Sequence, residues 1–122
     1  MIAPVFPPLF TGQDAEGNDP FALACTTAEA GCDAGLVIYD LAADTLRAAI
    51  VFAPDVPLEK AAVMLPVCGV GFQNALGALA PPEVSVHLGW DGTIYVNGGR
   101  CGALRMAAAG ASGDAPDWLV VD

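Results

Sequence analysis

Few side chains in this sequence combine the type and the spacing that chemistry needs. It holds one histidine, His87, and four cysteines, Cys25, Cys32, Cys68 and Cys101. No two cysteines stand in Cys-x-x-Cys spacing and a single imidazole can add only one more ligand, so no metal site is expected. The thiols are read as reduced and mostly buried, behaving as small hydrophobes. His87 has no nucleophile and carboxylate at a recognisable spacing, and its place in an alternating strand puts it opposite the apolar set. Asp14, Glu16 and Asp19 cluster in a polar loop, but not with the spacing of an EF-hand, and read as a solvated loop. Phosphate-cradling glycine loops and the Gly-x-Ser-x-Gly elbow are absent. What remains is the stretch 87–105, His-Leu-Gly-Trp-Asp-Gly-Thr-Ile-Tyr-Val-Asn-Gly-Gly-Arg-Cys-Gly-Ala-Leu-Arg. Two alternating arms flank a glycine pair, with Trp90 on one arm and Arg100 on the other.

Composition narrows the classes of partner. The 122 residues suffice for one core, and 55% are hydrophobic, which excludes a disordered chain. Arg47, Lys60, Arg100 and Arg105 face fourteen carboxylates, for a net charge of −10. Such a surface repels phosphate backbones, so neither nucleic acid nor an anionic membrane is an expected partner. The longest apolar run, 61–72, contains Pro66 and two glycines and is too short to span a bilayer. The N-terminus lacks the basic residue of a signal peptide, and a soluble cytoplasmic protein is expected.

These residues must be positioned by a small set of elements. Residues 1–18, rich in proline and then polar, read as an N-terminal arm, followed by a single domain over 19–122. Asp19-Pro20 is a helix start and Gly31 a stop, which predicts a helix over 20–30. Strands are predicted over 36–40 and 46–52, with a tight turn at Ala43-Asp44 between them. A helix over 58–79 follows, kinked or split by Pro66, its glycines allowing close approach to a sheet. Beyond Pro81-Pro82 come strands over 84–88, 93–97 and 100–106, with turns at 90–92 and at Gly98-Gly99. A Gly-, Ala- and Ser-rich loop leads to a last strand over 118–121. The order predicts an α+β domain with a mostly antiparallel or mixed sheet and the long helix packed on one face. An exposed sheet edge near the C-terminus would favour a homo-oligomer.

The pattern in 89–105 resembles the biotin protein ligases and their lipoate-ligase relatives. There a strand ends in Lys-Trp-Pro-Asn-Asp, an apolar strand and a turn follow, and then comes Lys-x-x-Gly-Ile-Leu. Trp90 falls on the tryptophan and Arg100 on the second lysine. Gly102-Ala103 fall on the small-residue step. The helix running into Asn74-Ala75-Leu76 is similar to the one preceding this hairpin. The resemblance covers about residues 33–105 and implies a core like that of the class II synthetases, of which this chain would be the N-terminal part.

In that family ATP activates a carboxylate, and the acyl-adenylate passes its acyl group to a lysine of a carrier domain. The resemblance implies a catalytic role for Arg100, stabilising negative charge with a planar guanidinium in place of an ammonium. It implies substrate-binding roles for Trp90, Thr93, Asn97, Gly102 and Ala103. Gly89 replaces the first lysine, Gly92-Thr93 replace Asn-Asp, and the short acidic link 40–45 stands where ligases carry an Arg- and Gly-rich adenylate loop. The expectation is a divergent or non-catalytic member that keeps a pocket for a small carboxylic acid or docks an acyl-carrier domain. The alternative is an active ligase or acyltransferase using ATP and Mg²⁺ with biotin or lipoate.

Overall fold

The computed structural model describes residues 4–41, 44–109 and 115–122, which fold as two compact units. Unit one comprises Met1–Ala61 and Met106–Asp122, and unit two comprises Ala62–Arg105. The strands expected in one sheet are shared between two. The expected turn at Ala43-Asp44 lies partly outside the described residues, since Ala43 is not among them.

Unit one is built on a five-stranded mixed sheet. In chain order its elements are β1 (Thr11–Asp14), α1 (Pro20–Ala30), β2 (Leu36–Asp40), β3 (Arg47–Phe52) and α2 (Leu58–Ala61). Unit two then contributes α3 (Met64–Leu79), β4 (Val86–Leu88), β5 (Thr93–Val96) and β6 (Gly99–Ala103), and the chain returns to unit one as β7 (Met106–Ala109) and β8 (Trp118–Val121). The sheet order is β1-β2-β3-β8-β7, with β1 parallel to β2 and the other pairs antiparallel.

α1 has the bounds its sequence predicts. Asp19 caps it, its carboxylate accepting from the Phe21 N–H, and Pro20 sits where a missing N–H costs nothing. Gly31 ends it at φ 99°, a conformation other residues resist. The buried face is Pro20, Ala24 and Ala28, small enough to bring the helix close to β2, β3 and β8. The core beneath joins Ala15, Ile38, Ala49, Val51 and Val120. Residues 11–14, expected within a loose arm, instead form the edge strand β1. The chain before it lies on the sheet, with the Phe6 ring 6.1 Å from that of Tyr39. The acidic cluster is spent on local structure. Asp14 accepts from the Glu16 N–H, and Asp19 both caps α1 and pairs with Arg47 at 2.5 Å. Both partners of that pair are about two-fifths exposed, so it adds at most about 1 kcal/mol.

Unit two packs α3 against the three-stranded antiparallel sheet β4-β5-β6. The long helix expected over 58–79 is interrupted at residues 62–63, before Pro66. Pro66 falls in the first turn of α3, where the unsatisfied N–H groups of a helix start make proline tolerable. Taken together, Leu58–Leu79 is long and apolar enough by length and composition to cross a membrane, a longer stretch than the run 61–72 suggested. Gly69 alone among the glycines of α3 makes the expected close approach: a Cβ there would sit 3.1 Å from a Leu88 methyl. Gln73 donates to the Val86 carbonyl at 2.6 Å and fastens the helix to β4.

Ile38 is fully buried in the middle of the unit-one core. Ile38→Ala should lower unfolding free energy by about 2–5 kcal/mol, read from the urea midpoint at unchanged slope.

Candidate functional site

The hairpin that carries the predicted residues is tied by its turns. Asn97 and Gly98 have φ 50° and 82°, and Val96 pairs with Gly99, so the turn is Asn97-Gly98 with positive φ at both central positions. That is the arrangement of a type I′ hairpin. It replaces the Gly98-Gly99 turn expected from sequence and shifts the strand boundary by one residue. Asn97 is exposed at that turn, where its amide oxygen accepts from the Ser85 N–H at 2.9 Å and its own N–H donates to the Ser85 carbonyl.

The loop joining β4 to β5 is closed on every side by backbone bonds. The Gly89 N–H donates to the Thr93 carbonyl, the Gly92 N–H to Gly89, and the Leu104 N–H to Gly92 at 2.8 Å. Gly92 has φ 91°, and a Cβ there would lie 2.5 Å from the Leu104 oxygen. A Cβ at Gly89 would lie 2.8 Å from the Asp91 carboxylate. These are the two positions where the ligase motif places lysine and asparagine. Asp91 accepts from the Thr93 N–H at 3.0 Å, and this bond, with the Thr93 side chain, holds its carboxyl below the usual carboxylate range; the charge of Arg100 adds a smaller contribution.

An irregularity in β6 decides which side chains share a face. Tyr95 pairs with Arg100, but Ile94 pairs with Gly102, so Cys101 is an extra residue opposite the step between them. Such a bulge inverts the alternation of a strand. His87, Tyr95 and Arg100 therefore lie on one face, and Leu88, Ile94 and Gly102 on the other. The second face looks toward α3, as the Leu88 contact at Gly69 shows. Without the bulge, Arg100 would share a face with Gly102 and Leu104.

On the α3 side lies an open apolar groove of about 370 Å³. Leu65, Pro66, Gly69 and Val70 of α3 line it, with Leu88, Gly89, Trp90, Gly92 and Leu104 from the hairpin. Of the predicted site residues only Trp90 reaches it, and its side chain is fully exposed at the rim. Arg100 is exposed on the opposite face of the strand. Thr93 is buried, Ala103 is exposed opposite it, and Gly102 pairs with Ile94. The hairpin brings these residues into one ribbon but not into one cavity. Sequence reasoning missed the α3 wall; the reading that the glycines of this helix allow close approach to a sheet was its one trace.

The charge that opposes anionic ligands is not spread evenly. Unit one holds twelve of the fourteen acidic residues against Arg47 and Lys60. Unit two has Glu83 and Asp91 against Arg100 and Arg105, and is neutral. A second depression, of about 250 Å³, lies in unit one beside Cys32 and Trp118. The Trp118 indole donates there to Glu29 at 2.8 Å. Burial and then Asp33 push the Cys32 thiol up, and burial pushes Cys68 up, so neither is an activated nucleophile. Cys32 and Cys101 are exposed, against the expectation of mostly buried thiols.

A sequence profile of the biotin/lipoate A/B protein ligase family matches residues 6–122. A crystal structure of a biotin protein ligase-like protein of unknown function from Silicibacter sp. TM1040 shares 66% identity with this chain, with a TM-score of 0.91. The match covers 96% of this chain and 52% of that one, so this chain spans about half the length of its relative. No curated protein matches.

Two outcomes follow from the loop. Gly92→Ala should cost about 1–3 kcal/mol, read by urea denaturation at neutral pH. Asp91 has a depressed pKa when folded, so its contribution is present above the ordinary carboxylate range and is lost as pH falls through the depressed value. The difference in Tm between the wild-type protein and Asp91→Asn should therefore be full at neutral pH and close on acidification, as followed by thermal melts.

Proposed function

This chain belongs to the biotin/lipoate A/B protein ligase family, and from that premise we propose that it is a divergent, non-catalytic member whose unit-two groove takes the apolar body of a small acyl compound. The observation that carries this reading is the lining of the groove. Its described walls are aliphatic or glycine, with one indole at the rim and no charged side chain. Such a surface rewards burial of methylenes and gives nothing to a phosphate. The carboxylate of a bound acid stays at the mouth, in water, beside a unit whose net charge is zero.

The residues present do not fit ATP and Mg²⁺. Arg47, the cation closest in sequence to the 40–45 link, is held by Asp19 and lies 4.0 Å from Asp40. That link itself carries Asp40 and Asp44. Arg100 stands on the strand face away from the groove, with Asp91 acting on the same local field. Among the described residues no three His, Cys, Asp or Glu side chains gather where they could hold a metal ion. The groove wall thus brings no positive charge to an adenylate.

Magnitudes favour a weak binder over a ligase. Burying five methylenes yields roughly 4 kcal/mol at about 0.8 kcal/mol each, a Kd near 1 mM before the costs of association. Octanoate and lipoate should therefore quench tryptophan fluorescence with millimolar or weaker affinity. Trp90→Ala should abolish the quench, and Gly69→Leu should abolish binding by filling the groove. Arg100→Ala should change affinity less than about threefold. ATP with Mg²⁺ and any of these acids, or biotin, should release no pyrophosphate. Release above the rate without acid would overturn the reading in favour of an active acyl-adenylate-forming ligase.

A further inference from the structure

The groove of unit two says more about its occupant than that it has an apolar tail. Its walls carry no charged side chain, and the two cations of unit two, Arg100 and Arg105, are not among them. The charged group beside the rim is a carboxylate: a Cβ on Gly89, a wall residue, would meet an Asp91 oxygen at 2.8 Å, and Asp91 directly follows Trp90 in the chain. A free acid therefore finds no counter-charge in the walls. It must keep its own carboxylate in water, because an unpaired charge is far costlier to desolvate than an amide. The methylenes next to that carboxylate are held out with it. An uncharged head group can rest at the rim and let the whole tail enter.

Trp90 is a second observation. Its side chain is fully exposed, yet it borders the groove. A free acid ends at its carboxylate and has nothing to lay on this ring. A ligand that continues past its carbonyl covers the indole, which gains from apolar contact on its face and offers one N–H. An acyl amide with an alkyl chain on nitrogen has every part required: an apolar tail for the aliphatic walls, a neutral carbonyl for the rim and an alkyl arm for the indole. We propose that the ligand class of this groove is the N-alkyl acyl amide, with the free acid the poorer ligand because the walls supply no positive charge. The inference rests on the acyl-binding reading above and names the head group which that reading leaves open.

The test is a chemical-shift titration of the ¹⁵N-labelled chain with octanoate, octanamide and N-ethyloctanamide. Octanamide should bind at least about threefold tighter than octanoate, and N-ethyloctanamide about threefold tighter again. Trp90→Ala should cancel the second gain and keep the first. Val70→Lys, at a wall position 49% exposed, supplies the missing cation and should make octanoate the tightest of the three. Circular dichroism melts confirm that both variants fold. Octanoate binding as tightly as octanamide to the wild-type chain would overturn the proposal and leave the acyl reading standing. An N-ethyl gain that survives Trp90→Ala would overturn it too, as would a folded Val70→Lys chain that still prefers the amides. Absence of shifts with all three compounds would overturn the acyl reading and this inference together.

Discussion

The contact of Gly92 with the Leu104 carbonyl is the constraint on which the site depends. It places a loop backbone against the end of β6, at a positive φ and with no room for a Cβ. The Leu104 N–H returns to Gly92, so the approach is also a hydrogen bond. Trp90 is held at the groove rim because the residues on both sides of its turn are fixed in this way. The same closure leaves no room for the side chains that the ligase pattern places there. Positions 89 and 92 would bear lysine and asparagine in the ligase pattern, and here neither has space for a side chain without local movement. Loss of those groups and the tightness of the loop are one structural fact.

The bulge at Cys101 separates Arg100 from the groove. An extra residue in one strand costs a ladder bond and turns the following side chains over. Here it assigns Gly102 to the α3 side and leaves Arg100 with His87 and Tyr95 on the other. A guanidinium aligned in sequence with a catalytic lysine thus ends on the wrong side of its strand for the groove. Alignment compares order along the chain, whereas catalysis needs charge within a few ångströms of the developing anion.

The parts of this fold legible in the sequence are those written in local chemistry. α1 could be bounded because Asp19, Pro20 and Gly31 each act within a turn of the helix end. β2, α3 and β8 follow from runs of apolar residues, and the family from the ordered match of Trp90 and Arg100. β1 was illegible because Thr-Gly-Gln-Asp is exposed throughout and has no alternation to announce a strand. Its existence depends on β2 offering an edge and on Phe6 packing over Tyr39. The hairpin turn was displaced by one residue because a glycine pair attracts the eye, while Asn-Gly supplies the two positive φ values a type I′ turn requires. The bulge left no sequence signal at all. The site was therefore legible as a ribbon and not as a cavity.

Charge shows the same dependence on folded position. A net charge of −10 read along the chain argues against any anionic ligand. Once folded, that charge belongs to unit one, and the unit with the groove is neutral. Neutrality lets an acid approach without binding it, since the two arginines of unit two are matched by Glu83 and Asp91 in number. On the proposed reading the groove would select by area alone, and area rewards every methylene equally, whichever acid carries it. A surface of this kind would hold an acyl chain weakly and discriminate little among tails of similar length. A ligase needs the opposite, because it must recognise one acid and hold its activated form. In the proposed reading the aliphatic walls of this groove leave hydrophobic burial as the basis of selectivity.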